Sequence, residues 1–327
     1  MNKTLGKWVT AIWFGAAAAG GGQAAEYKML SSFPHSFVFT EEIAQRFVAD
    51  LTEASEGEIT VDIIGPEAVP PFEGLEPVQA GLYDFIFTHG AYHAGTTGVG
   101  LAIDGVASDP DKRRASGVID FISDHYETIG LKLIAAPTTG TKGLRFYLRH
   151  ALSRETPLEG MKVRGTENYH PMIRTLGGSP VMISGGEIYT ALQKGLIDGA
   201  AWPTLGAKGF KWFEVAPYYS EPNFGQTGVL ILMNLDAWTA MSDADRALVS
   251  RIGEELEQST IVGMDALTLK ETEELRALGM KPTRISEANA ALLDRLYAQG
   301  VWQKAIEKSG EHAVTLREIA REAGLTY

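Results

Sequence analysis

The sequence predicts an α/β fold, built from mostly parallel sheets that carry helices on both faces. Short apolar or alternating runs, which are typical of strands, alternate with segments of helical periodicity, and this order favours parallel strands joined by helices. The chain has 327 residues, 45% of them hydrophobic, which is enough for two compact lobes or one large one. The segment Asp243–Leu278 keeps helical periodicity without a proline and would be about 54 Å long as one helix. Because that length exceeds the width of one lobe, we expect this helix to span two.

The N-terminal 25 residues have the three-part pattern of a secretory signal peptide. Two lysines precede an apolar core from about Val9 to Ala19, and small residues continue through Ala25. The core is too short for a membrane anchor, and no later apolar run approaches the ~20 residues of a membrane span. We therefore expect export to the periplasm, with cleavage after Ala24 or Ala25.

Four strands and three helices are predicted in the first half of the remaining chain. Apolar residues recur at helical spacing in Thr40–Ala54, and the alternating run Glu58–Ile64 ends at Gly65 and Pro66. The predicted strands are Tyr27–Ser31, Glu58–Ile64, Tyr83–Thr88 and Leu131–Ala136, and the predicted helices are Thr40–Ala54, Phe72–Gly81 and Asp111–Gly130.

The second half continues the alternation and ends in helices. A short strand at Lys162–Arg164 precedes a helix that starts at Tyr169. The strand Pro180–Ile183, the helix Glu187–Lys194, the strand Ile197–Trp202, the long helix and two helices near Glu287–Lys308 and Thr315–Ala323 follow in that order.

Charge and composition exclude several partners and chemistries. Removal of the signal peptide takes away two lysines and no acid, so the net charge changes from −12 to −14. Such a surface repels nucleic acid and anionic lipid, and we expect neither as a partner. The chain has no cysteine, which excludes disulfides, thiol catalysis and zinc–thiolate sites.

No enzyme or cofactor motif is found in the sequence. G-x-S-x-G, H-E-x-x-H, P-loop and G-x-G-x-x-G patterns are absent, and nothing identifies a nucleophile. His89 and His93 have the spacing of metal ligands on a helix, but they follow a predicted strand, flank Gly90 and have no carboxylate nearby. We expect them in a loop, either in polar contact with a small ligand or in a structural role, and we predict no metal and no cofactor.

One arginine occupies an unusual position. Arg164 ends a short apolar run directly before Gly165 and a polar turn. A charged residue at the carboxyl end of a strand often faces the crevice in which open α/β sheets bind their ligands. The alternative is a structural ion pair with Glu167 or Glu187.

The 46 residues from Leu158 to Pro203 contain a specific order of motifs. They are Leu158-Glu-Gly-Met-Lys-Val-Arg164, then Gly177-Gly-Ser-Pro-Val181, then Glu187-Ile-Tyr-x-Ala-Leu-Gln193-x-Gly195-x-x-Asp198-Gly199. The order resembles the extracytoplasmic solute-binding proteins of TRAP (tripartite ATP-independent periplasmic) transporters. Val78-Gln79-x-Gly81-x-x-Asp84 and the long helix extend the resemblance to essentially the whole exported chain.

The resemblance implies a fold and a function. The fold is the two-lobed periplasmic binding protein fold, with mixed, mostly parallel sheets, a long helix that spans both lobes and a ligand cleft between them. Lobe one would be residues 26–142 plus 231–268, and lobe two residues 143–230 plus 269–327. The protein would be no enzyme; it would capture a small organic carboxylate and deliver it to the small and large membrane subunits for ion-coupled uptake.

The resemblance also implies the residues of the binding site. Arg164 matches the family arginine that clamps the ligand carboxylate, a role that suits a planar guanidinium with a permanent charge. Arg145 matches a second arginine near the ligand, or is a strand residue that faces solvent. Trp202 is at a position that commonly lines the ligand, or packs in the core. The remaining candidates lie in loops that follow strands, or at the start of the helix after Arg164: Phe33, His35, Glu67, His89, Tyr92 and Tyr169.

Two other functions remain open from the sequence. A periplasmic hydrolase or lyase that acts on a small organic acid would need an acid–base pair in the cleft. A binding protein that serves a signalling receptor would hold the same ligand in the same way.

Overall fold

The computed structural model describes residues 25–153 and 155–326 of the chain. The predicted signal peptide therefore lies outside the described residues, except for Ala25, whose backbone N–H donates to the carbonyl of Glu58 over 2.7 Å. In the part of the chain that is described, no helix combines the length and the apolarity needed to cross a membrane.

The described residues form strands and helices that alternate along most of the chain. The strands are β1 (Ala25–Ser31), β2 (Ile59–Ile64), β3 (Phe85–Thr88), β4 (Leu131–Ala135), β5 (Leu144–Leu148), β6 (Lys162–Arg164), β7 (Ser179–Val181), β8 (Gly199–Pro203), β9 (Tyr218–Glu221), β10 (Leu230–Asn234) and β11 (Lys281–Arg284). The helices are α1 (Arg46–Ala54), α2 (Leu75–Gln79), α3 (Val99–Ala102), α4 (Pro110–Ala115), α5 (Val118–Glu127), α6 (His170–Thr175), α7 (Ile188–Gln193), α8 (Leu235–Ala240), α9 (Asp243–Ala277), α10 (Glu287–Ser309) and α11 (Glu311–Glu322).

The strands form two separate sheets, one in each lobe. The first has the order β2-β1-β3-β10-β4, and the second has the order β11-β9-β5-β8-β6-β7. Strand β10 runs antiparallel to β3 and β4, strand β5 runs antiparallel to β8 and β9, and the other pairs in both sheets are parallel. The prediction of a two-lobed α/β fold with mixed, mostly parallel sheets is confirmed.

The central strands of both sheets are buried along their whole length. This applies to β3 and β10 in the first sheet and to β5 and β8 in the second. Because helices and loops cover both faces of these strands, their apolar residues form continuous runs rather than an alternating pattern. Strand β5 is unusual among them because it also buries a charged residue, Arg145.

The long helix α9 connects the two lobes, as its length predicts. Its first half packs against α1 and β4 of the first lobe. In its second half, the Glu271 carboxylate accepts a hydrogen bond from the backbone N–H of Gly206 (2.8 Å), and the Thr272 hydroxyl accepts one from Nη2 of Arg145 (3.0 Å). Helix α9 is therefore fixed to the first sheet at one end and to the second sheet at the other.

The two C-terminal helices also pack across the lobes. Helix α10 contacts α6 of the second lobe and α3 of the first, and α11 packs against α3 and α5. Ala313, Leu316 and Ala320 of α11 share one buried apolar cluster with residues of the first sheet and its helices. The lobe boundaries stay a prediction; the packing favours the assignment of residues 311–325 to lobe one instead of lobe two.

Several segments differ from the sequence prediction. The predicted helix Asp111–Gly130 is two helices, α4 and α5, because Gly117 between them has φ +80°, a left-handed conformation that ends an α-helix. The predicted helix Phe72–Gly81 contains only the short α2, preceded by a 3₁₀ turn. Four strands were not predicted: β5, β9, β10 and β11. Strands β9 and β11 pair with each other at the edge of the second sheet.

Candidate functional site

A small cavity lies between the two lobes, at the carboxyl ends of β1, β3 and β6. The space inside it is about 30 Å³. Six of the nine residues predicted for the binding site line this cavity: Phe33, His89, Tyr92, Arg164, Tyr169 and Trp202. The position agrees with the rule that α/β proteins bind ligands beyond the carboxyl ends of parallel strands.

Arg164 is the positive group of the cavity. It ends β6, between β7 and β8, and is 2% exposed. Its Nε donates to the carbonyl of Ile183 over 3.0 Å, and Nη1 makes a long contact of 3.5 Å with the carbonyl of Ala201. Within the described residues, Nη2 has no hydrogen-bond partner. A buried charged donor without a partner is costly. Arg145 also keeps two guanidinium nitrogens, Nε and Nη1, without a partner in the described part of the chain, but only Arg164 lines the cavity, where a ligand can complete its hydrogen bonding.

The alternative role of Arg164, an ion pair with a nearby glutamate, is not found in the structure. Glu167 instead pairs with Nζ of Lys308 over 3.3 Å. Glu187 accepts a hydrogen bond from the Ser184 hydroxyl (2.7 Å) and so caps its own helical turn. Both carboxylates are used elsewhere, so Arg164 remains available to an anion in the cavity.

Trp202 supports the guanidinium of Arg164 from one side. Its ring centre lies 4.9 Å from the guanidinium carbon, a distance at which the ring attracts the cation. A Cβ on Gly185 would lie 2.7 Å from the Trp202 ring, so only glycine allows this loop to pack against it. The indole N–H has no partner among the described residues. Trp202 is thus both a core residue and a wall of the cavity with a free donor.

Tyr92 and Phe33 form the opposite wall, which belongs to the first lobe. Their ring centres are 5.7 Å apart. Burial raises the pKa of the Tyr92 hydroxyl, while the charge of Arg164 opposes that shift. The hydroxyl is therefore protonated at neutral pH and can donate a hydrogen bond. Lobe one adds apolar walls and a neutral donor to the cation of lobe two.

His89 lines the cavity, but both of its ring nitrogens are engaged. Nδ1 accepts from the backbone N–H of Ala91 (3.2 Å), so Nε2 carries the proton and donates to Asp104 (3.0 Å). His93 is buried elsewhere, where its Nε2 pairs with the hydroxyl of Tyr126. The two histidines do not converge, and the described residues contain no group of three or more side chains that could hold a metal.

Asp104 is a buried residue next to the site that the sequence analysis missed. It is 1% exposed and accepts hydrogen bonds from His89, from the hydroxyl of Thr227 (2.9 Å), from Nδ2 of Asn168 (3.1 Å) and from the hydroxyl of Tyr297 (3.0 Å). The only signal in the sequence is a carboxylate inside an apolar run, Leu-Ala-Ile-Asp-Gly-Val. Since Asn168 follows β6 and Asp104 belongs to the first lobe, this network joins the lobes behind the cavity.

Three predicted site residues do not line the cavity. His35 and Glu67 are exposed. Arg145 is 3% exposed, so it does not face solvent either; its guanidinium carbon lies 4.8 Å from the Tyr219 ring centre, and its Nη2 binds Thr272 on α9. The structure thus places Arg145 where it fixes the second sheet to the long helix.

One imidazole–carboxylate pair lies at the cavity, and its hydrogen bonds are made within the protein. His89 lines the cavity and donates to Asp104, which does not line it and accepts several further hydrogen bonds. The groups that remain free are donors, namely Nη2 of Arg164 and the indole N–H of Trp202. Such a set is suited to hold an anion rather than to transfer protons.

Comparison with known proteins identifies the family. Residues 34–309 match the family model of the bacterial extracellular solute-binding proteins, family 7. This range is most of the chain, so the protein belongs to that family. The resemblance noted in the sequence is confirmed.

Two curated relatives show what related proteins bind. A monocarboxylate 2-oxoacid-binding periplasmic protein from Nostoc sp. is 26% identical over 275 residues, which cover 78% of this chain and 72% of that protein. The ectoine-binding periplasmic protein TeaA from Halomonas elongata is 26% identical over 145 residues, 44% of this chain and 42% of its own.

Solved structures share the fold at low sequence identity. A TRAP periplasmic solute-binding protein from Desulfovibrio salexigens with bound orotic acid superposes with a TM-score of 0.80 at 18% identity, over 91% of this chain and 98% of its own. An extracytoplasmic solute receptor from Bordetella pertussis that binds pyroglutamic acid gives 0.79 at 18% identity, over 91% of this chain and 100% of its own.

Proposed function

From its membership of family 7, we propose that this protein is the periplasmic solute-binding subunit of a TRAP transporter and binds a small organic carboxylate. The bound acid is delivered to the small and large membrane subunits for ion-coupled uptake. The observation that carries this proposal is the buried guanidinium of Arg164, which lines an interlobe cavity and keeps one N–H group without a partner.

The physical reason is the cost of an unpaired charge in the interior. Buried charges are normally paired, and a guanidinium cannot neutralise itself by the loss of a proton. The charge of Arg164 is supported by a carbonyl and an aromatic ring, but by no anion among the described residues. A carboxylate in the cavity would supply that anion and satisfy Nη2 with a charge-assisted hydrogen bond.

The relatives support the same class of ligand. The Nostoc relative is named for monocarboxylate 2-oxoacids, and the two solved structures were obtained with orotic acid and pyroglutamic acid. Each of these ligands is an organic acid. We infer that this protein also binds an acid and does not convert it, since the cavity offers hydrogen-bond donors and both ring nitrogens of His89 are held by hydrogen bonds within the protein.

The proposed location is the periplasm. It rests on the signal-peptide pattern of the first 25 residues and on the family, whose members are extracellular solute-binding proteins. N-terminal sequencing of the protein from a periplasmic extract should give a start at Ala25 or Glu26. Recovery of a chain that begins at Met1 would contradict export by cleavage.

The binding proposal is tested with an organic acid panel and three arginine variants. A thermal-shift screen identifies the acids that stabilise the protein, because a ligand at 100 times its Kd adds about 2.7 kcal/mol of stability. Calorimetry with the best acid then compares the wild type with Arg164→Ala and Arg164→Lys. We expect Arg164→Ala to lose about 2–5 kcal/mol of binding free energy, which is about 30- to several-thousand-fold in affinity. Arg164→Lys should recover part of this affinity, because it keeps the charge but not the planar guanidinium.

The matched control is Arg174→Ala, which removes an exposed arginine of the same lobe. It should bind the acid like the wild type. Circular dichroism of each variant should match that of the wild type, because the affinity change is assigned to the site only in a folded protein; Arg164→Lys keeps most of the volume that Arg164 fills against Trp202. Binding by Arg164→Ala within threefold of the wild type would show that the carboxylate does not bind at this arginine.

A further inference from the structure

A groove adjoins the cavity on the outside of the cleft. We call it the entrance groove; both lobes line it, with Pro34, Pro66, Pro71 and Phe72 from lobe one and with Gly186 and Phe210 from lobe two. Phe33 and Tyr92 line the groove as well as the cavity. The two spaces are therefore neighbours that share two aromatic side chains.

The sizes of the two spaces differ strongly. The cavity beside Arg164 measures about 30 Å³, and the entrance groove measures about 490 Å³. A water molecule needs about 10–15 Å³ of such space, so the cavity has room for about two waters. That is the size of a carboxylate group, but not of a whole organic acid. The remainder of a ligand bound to Arg164 must extend beyond the cavity, and the groove that shares its walls offers the room.

The walls of the groove are suited to an apolar group. Phe72 meets the Tyr92 ring edge to face, with ring centres 5.0 Å apart. Phe210 stacks on Phe37 with ring centres 4.9 Å apart, so its ring is fixed in place by a neighbour. Prolines and fixed aromatic rings lose little entropy when they bind an apolar surface, and such walls are typical of ligand pockets.

The charged groups at the groove are acidic. Glu67 and Glu187 both line it, and no lysine or arginine does so. A second carboxylate on the ligand would therefore lie beside two like charges, while the guanidinium of Arg164 would already be occupied by the first. The groove consequently disfavours dicarboxylates.

We propose that the ligand is a monocarboxylate with an apolar tail about the size of a phenyl ring or a branched alkyl chain. The carboxylate binds Arg164 in the cavity, and the tail lies in the entrance groove between the prolines of lobe one and Phe210. This inference rests on the proposed function, because it takes the carboxylate at Arg164 as given, and adds the class of acid.

The test compares three acids that share one headgroup. Pyruvate has no tail, phenylpyruvate carries an aromatic tail, and 2-oxoglutarate carries a tail that ends in a second carboxylate. Calorimetry on the wild type should give phenylpyruvate a Kd at least tenfold lower than that of pyruvate. 2-Oxoglutarate should bind no more tightly than pyruvate.

A variant that fills the groove identifies where the tail lies. Gly186 lines the groove, and a Cβ at this position would meet no atom within 4 Å, so Gly186→Leu should fold normally. We expect Gly186→Leu to abolish the advantage of phenylpyruvate while pyruvate binds within threefold of the wild type. Gly263→Leu, at an exposed position of α9 with equal free space, is the matched control and should leave all three affinities unchanged.

The outcomes separate this inference from the proposed function. If acids bind in an Arg164-dependent manner but phenylpyruvate has no advantage, or keeps it in Gly186→Leu, the tail site is wrong and the proposed function stands. If none of the three acids and none of a wider acid panel binds the wild type, both the proposed function and the tail site are wrong.

Discussion

The guanidinium carbon of Arg164 lies 4.9 Å from the ring centre of Trp202. The two residues come from neighbouring parallel strands, β6 and β8, and each keeps one N–H group without a partner among the described residues. The ring thus supports the face of the cation while two donors remain free at the cavity. This arrangement prepares the site for an anion before the ligand arrives, which lowers the entropy that binding must overcome.

Trp202→Phe should separate the two contributions of the indole. Phenylalanine keeps an aromatic face against Arg164 but removes the free N–H. If that N–H donates to the bound carboxylate, we expect a loss of about 1.5 kcal/mol, about tenfold in affinity by calorimetry. Trp238→Phe, a tryptophan on α8, is the control and should bind normally. Affinity of Trp202→Phe within twofold of the wild type would mean that the indole N–H does not reach the ligand.

Tyr297→Phe should destabilise the protein through the buried Asp104 network. The Tyr297 hydroxyl donates to Asp104 over 3.0 Å and accepts from Asn168 over 3.1 Å. Burial, followed by the charge of Asp104, raises the pKa of Tyr297 well above its usual value, so the hydroxyl keeps its proton. Removal of this hydroxyl leaves the carboxylate of Asp104 and the amide of Asn168 each without one hydrogen-bond partner. We expect the free energy of unfolding to decrease by about 1–3 kcal/mol.

The measurement is urea unfolding at neutral pH with a saturating organic acid, which keeps the lobes closed and the network formed; Tyr189→Phe is the control. Tyr189 also donates to a carboxylate, that of Glu214 over 2.6 Å, but this pair lies at the surface. Exposed pairs of this kind contribute little, so the control should unfold close to the wild type. Equal stability of Tyr297→Phe and the wild type would show that the network does not stabilise this fold.

Acidification should destabilise the protein through His93. Burial lowers the pKa of His93 to about 3, whereas the same side chain in the unfolded chain titrates near 6.5. Between these two pKa values the unfolded chain binds a proton that the folded chain does not. The contribution of His93 to the free energy of unfolding is therefore complete above about pH 6.5 and decreases as the pH falls towards 3. Acidification from pH 7.5 to 5.5 should therefore lower the free energy of unfolding by about 1.4 kcal/mol through this one group.

Urea unfolding of the wild type and of His93→Gln at both pH values isolates this effect. Glutamine keeps an acceptor for the hydroxyl of Tyr126, so the variant should lose less stability than the wild type upon acidification. His150→Gln, which replaces an exposed histidine, should show the same pH dependence as the wild type. A pH dependence of His93→Gln identical to that of the wild type would contradict the assignment.

The features that the sequence predicted correctly are local in the chain. Arg164 could be found because its signals, the end of a strand and a following glycine, lie within a few residues of it. The long helix could be found because nothing in Asp243–Leu278 interrupts its periodicity. The glycines show the limit of such local signals. Gly117 has a left-handed conformation and separates two helices, whereas Gly253 lies inside α9, and the sequence alone does not distinguish these two positions.

The features that the sequence missed depend on distant contacts. Asp104 binds Asn168, Thr227 and Tyr297, which lie 64, 123 and 193 residues away, so no local pattern marks it. Arg145 lies opposite Trp202 in the β5–β8 pair, next to the site, but its side chain reaches α9. Which element covers a given face of a sheet is decided by packing, and a single sequence does not show it.

Ligand binding should draw the lobes together. The cavity walls come from both lobes, with Phe33 and Tyr92 on one side and Arg164 and Trp202 on the other, so a ligand contacts all of them only when the cleft is closed. A ligand that contacts both lobes binds the closed state more tightly than the open state. This difference in affinity shifts the protein towards the closed state. Small-angle X-ray scattering should therefore show a smaller radius of gyration with a saturating acid than without it.

The closed state has its own contacts, and these give the experiment its controls. Asn168 of the second lobe donates to Asp104 of the first over 3.1 Å, behind the cavity, and this contact should form only when the lobes meet. Arg164→Ala should show no compaction at the acid concentration that saturates the wild type, because it lacks the ligand's main partner. Asn168→Ala should bind the acid more weakly and compact only at higher concentration, since closure itself is then less favourable. An unchanged radius of gyration in the saturated wild type would show that the protein binds its ligand without closure, and the interlobe hydrogen bonds would then be permanent parts of the fold.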